Sequence, residues 1–86
     1  MGLVITTHTD SLTVDLGGLS ADRKYARIKY SDIRSLVADT DDATVEMVFS
    51  SGEIYSFPYQ AVDSVDGVAP TSQDNLFQMM EAKLFV

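Results

Sequence analysis

Thr44-Val45-Glu46-Met47-Val48-Phe49, then Ser50-Ser51-Gly52, then Glu53-Ile54-Tyr55-Ser56-Phe57-Pro58 is the stretch that decides the fold. Side chains of an extended strand point alternately to opposite faces, so every second residue shares a surface. A three-residue loop with Gly52 in the left-handed third position pairs Phe49 with Glu53, Met47 with Tyr55 and Val45 with Phe57. Val45, Met47, Tyr55 and Phe57 then form one strongly apolar face. A two-residue loop sets Tyr55 and Phe57 beside Glu46 instead, which fits the pattern less well. Pro58 closes the strand because it has no N–H for the ladder.

Downstream, residues 59–62 read as a brief turn of helix or a crossing of the sheet, and residues 62–68 as a short edge strand interrupted at Asp66-Gly67. Thr71 or Ser72 then caps a helix over 72–84, with Asp74 in the first turn, where the helix dipole favours an anion. Leu76, Phe77, Met80 and Leu84 line one helical face with Met79 at its margin, a stripe that calls for a sheet beneath it. Upstream, residues 3–8 and 11–16 alternate around the turn His8-Thr9-Asp10-Ser11 and read as a hairpin. Gly17-Gly18 breaks the second strand, residues 19–24 form a surface loop, and 25–30 resume the alternation. Residues 33–38 read as a further strand or a bulged continuation of the last one, and Asp39-Thr40-Asp41-Asp42 as a turn. Strands near 3–8, 11–16, 25–30, 33–38, 44–49 and 53–57 with a helix near 72–84 define an α+β, mainly β domain spanning 1–86. The expectation is an antiparallel sheet of five to six strands, curled toward a partial barrel, with the C-terminal helix packed on it. No internal repeat, low-complexity tract or linker divides the chain.

With 86 residues, 45% hydrophobic and 22% charged, the chain has the composition of a folded domain with one modest core. It contains no cysteine, so neither a disulfide nor a thiolate site supports that core, and association with other chains becomes one source of stability. No apolar run is long enough to span a bilayer, and no basic stretch precedes an apolar one as in a secretory signal. The expectation is a soluble protein, in the cytoplasm or in a particle assembled there. Gly2 fits a loose myristoylation pattern, but Leu3-Val4-Ile5-Thr6 reads better as an ordinary first strand.

The net charge is −7, which disfavours nucleic acid as the main partner, since phosphate binding needs a concentration of cations. The charge is unevenly spread. Arg23, Lys24, Arg27, Lys29 and Arg34 fall in a window whose only acid is Asp32, giving +4 there against −11 for the rest. Arg27 and Lys29 share one strand face. The segment reads equally as a solvated face that guards a sheet edge and as a partner-contact patch on an acidic body. As a contact it would meet the acidic turn at Asp39, Asp41 and Asp42, or Asp63 and Asp66, of a neighbouring copy.

Catalytic readings find little support. His8 is the only histidine and sits in a turn with no second base beside it, so it reads as a turn residue. Gly17-Gly18 lacks the Lys-Ser/Thr of a phosphate loop. Asp39, Asp41 and Asp42 lack the glycine and distal glutamate of a calcium loop, and the strand tyrosines read as packing. The expectation is no enzyme, no cofactor, no metal and no catalytic residue.

Two resemblances add to this. Val62-Asp63-Ser64-Val65-Asp66-Gly67-Val68-Ala69-Pro70-Thr71-Ser72 leading into Leu76-Phe77, with the hairpin before it, resembles small virion-associated proteins of tailed phages that infect Bacteroidetes, including the crAss-like group. The likeness spans roughly residues 44–84. It implies a structural component of a virion, capsid-decorating or head–tail in type, whose partners are other copies or other virion proteins. Ile28-Lys29-Tyr30-Ser31-Asp32-Ile33-Arg34-Ser35-Leu36, the hairpin with Gly52-Glu53-Ile54-Tyr55-Ser56-Phe57 and a final helix are similar to bacterial pleckstrin-homology-like and GRAM domains. That likeness implies a module for an acidic lipid or peptide, with Lys24, Arg27 and Lys29 at an open barrel end. It departs from the family in that only about six strands are legible.

Overall fold

The computed structural model describes residues 2–15 and 25–84, the Tyr25 side chain excepted. Its strands are β1 (Leu3–Thr7), β2 (Ser11–Asp15), β3 (Tyr25–Lys29), β4 (Ile33–Asp39), β5 (Thr44–Phe49), β6 (Ile54–Pro58) and β7 (Val62–Val65), followed by α1 (Gln73–Leu84). Leu16, the Gly17-Gly18 break and the 19–24 loop lie outside the described residues.

The fold is mainly β with one C-terminal helix, and the expected single sheet is corrected. The described strands form two sheets, β3-β2-β1-β7 and β4-β5-β6, and they do not close into a barrel. Each meander has its own apolar face, Leu3, Ile5, Leu12 and Val14 in one and Val45, Met47 and Phe57 in the other. One helix cannot shield both, so the two faces cover each other. The all-antiparallel expectation fails at β7, which runs parallel to β1 with Ile5 beside Val65.

Two 3-10 turns carry the chain between sheets, Tyr30–Asp32 from β3 to β4 and Tyr59–Ala61 from β6 to β7. They are equivalent corners. In each, the tyrosine N–H donates to the last residue of a hairpin turn, Tyr30 to the Asp10 carbonyl and Tyr59 to the Ala43 carbonyl, both at 3.0 Å. Tyr30-Ser31-Asp32-Ile33-Arg34-Ser35-Leu36 and Tyr59-Gln60-Ala61-Val62-Asp63-Ser64-Val65 are therefore two versions of one device, an internal repetition that the sequence reading missed. Residues 33–38 are accordingly a new strand in the second sheet, with a register irregularity between Ile33 and Ser35.

The β5–β6 hairpin has the register argued from its loop: Val45 faces Phe57, Met47 faces Tyr55, and Gly52 adopts φ 95°. Val45, Met47 and Phe57 join Leu3, Ile5, Leu12, Val14, Ile33, Val62, Val65, Leu76 and Met80 in one buried core. Ser72 is the N-cap of α1, its Oγ accepting the Asn75 N–H at 3.0 Å. Gln73 Nε2 donates to the carbonyls of Asp39 and Thr44, each at 2.8 Å, and fastens the start of α1 to the β4–β5 hairpin. Phe77 and Leu84 are half-buried at the margin of this packing.

Candidate interaction surface

Arg27, Lys29 and Arg34 are exposed around the first corner. Arg27 sits on β3 opposite Thr13, and its side chain is 67% exposed. Its Nε donates to Ser11 Oγ at 3.2 Å, and its Nη2 lies 3.9 Å from Asp10 Oδ1. An ion pair that open to water contributes little, about 0–1 kcal/mol. Arg34 occupies the irregularity at the start of β4, which frees its side chain from the face-to-face pairing of its neighbours. Arg23 and Lys24, also expected in this patch, lie outside the described residues.

The corner is held rigidly between two turns. The Tyr30 hydroxyl donates to the His8 carbonyl at 2.8 Å, and the Ser50 N–H donates to the Asp32 carbonyl at 2.9 Å. A groove of about 340 Å³ beside it is lined by Arg27, Ile28, Asp32, Phe49, Ser50, Ser51 and Glu53. Two carboxylates thus border the cationic patch, an arrangement better suited to a protein surface of mixed charge than to a polyanion. His8 is exposed and borders a shallow groove of about 620 Å³ with Thr6, Thr13, Asp15 and Arg27.

The acidic candidates divide into two sets. Asp63 accepts the Gly2 N–H at 2.8 Å, and Asp66 accepts both the N–H and the hydroxyl of Thr7 at 2.8 and 2.5 Å. Burial acts to raise the Asp66 carboxyl, but the Thr7 bonds together with Lys83 and His8 outweigh it and hold it below the ordinary aspartate range. Asp66 ties the β7 turn to β1 and, through Lys83 at 4.0 Å, to the end of α1. Sequence reasoning offered these two acids to the basic patch of a neighbouring copy, and the structure engages both within the chain. The Asp66-Gly67 dipeptide was the available signal, since both residues take positive φ, 51° and 85°, in a tight turn between Val65 and Val68. The remaining acidic turn has Asp41 and Asp42 exposed, with the Asp39 carboxylate accepting the Asp41 N–H at 3.0 Å.

Among the apolar side chains that alternate with the core-facing residues of their strands, Val4 and Ile54 are exposed, as is Val37, while Val48 is half-buried. Among the described residues no three His, Cys, Asp or Glu side chains converge as a metal site, and no helix is long and apolar enough to cross a membrane. The chain matches no known protein family, no curated protein and no solved structure.

Proposed function

We propose that this chain is a non-catalytic assembly protein, a structural component of a tailed-phage virion that acts by occupying a defined position among other copies or other virion proteins. The virion assignment rests on the sequence likeness over residues 44–84. The observation that carries the assembly reading is the placement of charge. Arg34 lies at the start of β4, next to the corner that follows Arg27 and Lys29 on β3, and the Asp39-Asp41-Asp42 turn lies at the far end of β4, about 20 Å away at ~3.3 Å per residue. Unlike patches at opposite ends of one strand favour a head-to-tail contact, heterologous in type, between successive molecules.

The test is sedimentation of the parent and of an Arg27→Glu, Arg34→Glu double variant over a range of salt, alone and with capsid or tail proteins. Assembly that weakens with salt and is lost in the variant supports the reading, because screening reaches surface charges far more than a core. Equal assembly by both proteins rules the basic patch out as an interface. A second reading, a pleckstrin-homology-like module for an acidic lipid or peptide, draws on the seven described strands and final helix. It requires parent protein to bind anionic vesicles in the same salt series, and absence of binding removes it.

A further inference from the structure

The outermost strands of a sheet carry backbone N–H and C=O groups with no ladder partner, and proteins guard such edges with cations, proline, bulges or a covering element. Here β3, β7, β4 and β6 are the sheet ends. α1 packs against β4 and β7. β3 carries Arg27 and Lys29, both exposed. β6 differs. Its one guard is Pro58 at its C-terminal end; it has no charged side chain from Ile54 to Pro58, and Ile54 is 59% exposed, the most exposed large apolar side chain among the described residues.

The hydrogen-bond phase of β6 is fixed at both ends. The Phe49 N–H donates to the Glu53 carbonyl at 2.9 Å, and the Tyr59 N–H donates to the Ala43 carbonyl at 3.0 Å. Alternation along an antiparallel ladder then turns the backbone of Tyr55 and Phe57 toward β5 and that of Ile54 and Ser56 outward. Among the described residues nothing bonds these outward groups. Pro58, the next outward position, has no N–H.

We propose that β6 of a second copy covers this edge, pairing antiparallel about a two-fold axis at Tyr55 and joining two three-stranded sheets into one of six strands. The register follows from the free groups. With Ile54 opposite Ser56 of the second copy, every outward N–H meets an outward C=O. Slipping by two residues sets Ile54 against Pro58, which lacks the donor, or Ser56 against Gly52, whose φ of 95° is not strand backbone. The chosen register brings no like charges together. A two-fold contact also closes on itself and leaves no β6 edge for further growth.

This inference rests on the assembly reading and adds a contact of different character, apolar and hydrogen-bonded rather than ionic. In this cysteine-free chain, Tyr55→Cys places the thiol opposite itself in a non-hydrogen-bonded pair, at a cross-strand Cα separation of about 4.5 Å, and is expected to form an intermolecular disulfide on mild oxidation. Ser35→Cys, on β4, is not. In sedimentation, Ser56→Pro removes an N–H that bonds nothing within the chain and should raise the dimer Kd at least about tenfold with an unchanged far-UV spectrum. Ile54→Lys should do the same if proline unsettles the strand. The dimer should persist in high salt and in the Arg27→Glu, Arg34→Glu variant. Assembly that survives both β6 variants overturns the β6 contact and leaves the assembly reading intact. A parent that is monomeric at millimolar concentration also overturns it, and the assembly reading falls with it only if the protein ignores other virion proteins too.

Discussion

Truncating Phe57 to alanine should be among the most damaging single changes in this chain, and Phe77→Ala, alike in chemistry, should not. Phe57 is 3% exposed on the inner face of β6, with Val45 across the strand pair and the Tyr55 ring meeting it edge-on at 5.8 Å. Its removal forfeits the transfer free energy of a buried aromatic, about 1.5–3 kcal/mol, and leaves a cavity between two sheets that cannot close without shifting both. The expected total is about 3–5 kcal/mol. A domain of 86 residues has about 4–13 kcal/mol in all at ~0.05–0.15 kcal/mol per residue, so Phe57→Ala removes much of it. Phe77 is half-buried at the edge of α1 beside the fully buried Leu76. Water can enter where its ring was, so the cost is about 1–1.5 kcal/mol. Urea unfolding of the parent and both variants checks this, with the midpoint falling and the slope unchanged. At about 4–8 °C per kcal/mol, Tm should fall by roughly 12–40 °C for Phe57→Ala and by roughly 4–12 °C for Phe77→Ala. A Phe77→Ala loss equal to or larger than that of Phe57→Ala would refute the packing argument.

Two further predictions concern the contacts that hold β7. Asp66 is depressed in the folded protein, so its bonds to Thr7 stabilise above the unfolded aspartate value of about 3.9 and are lost as pH falls through the lower folded value. Asp66→Asn keeps a residue that tolerates φ 51°; it should cost about 1 kcal/mol at pH 7, with the difference from the parent shrinking below about pH 4 in a pH series of unfolding curves. A difference that is constant from pH 7 to pH 3 rejects the role of the charge. Gly2→Ala should destabilise by about 1–3 kcal/mol in thermal unfolding, because a Cβ there falls on the Ala61 carbonyl oxygen and close to Asp63 Oδ1. A neutral result would mean that the start of β1 is not seated on the second corner.

The β5–β6 hairpin was legible because loop length and alternation are local properties: Gly52 admits one turn geometry, and that geometry fixes which residues face each other. The buried pair Leu76 and Met80 was legible for the same reason, since a helix announces its face every three or four residues, while the cap was narrowed to Thr71 or Ser72 and the Ser72 bond to the Asn75 N–H decides between them. The alternation of Ile54 with Tyr55 and Phe57 turns its side chain away from the core face, but no sequence pattern marks β6 as an open edge, because which strand ends a sheet depends on pairings made far along the chain. Arg27, Lys29 and Arg34 were singled out together from their spacing, and the structure places them around one corner, exposed. Asp63 and Asp66 were offered to a neighbouring copy because their partners within the chain, Gly2 and Thr7, stand about sixty residues away in sequence.

By itself, then, the sequence determined the strand and helix segments that repeat at periods of two and 3.6, the hairpin register, and the polarity of charge along the chain. Only the tertiary structure decided that the meanders form two sheets, that β7 lies parallel to β1, and which acids remain free for a partner. The physical reason is that apolar alternation states that a face must be buried and does not state against what. That choice was settled by two 3-10 corners, whose tyrosine N–H groups each find a carbonyl at the tip of a hairpin 16 to 20 residues upstream, and by the need of two apolar faces to cover one another.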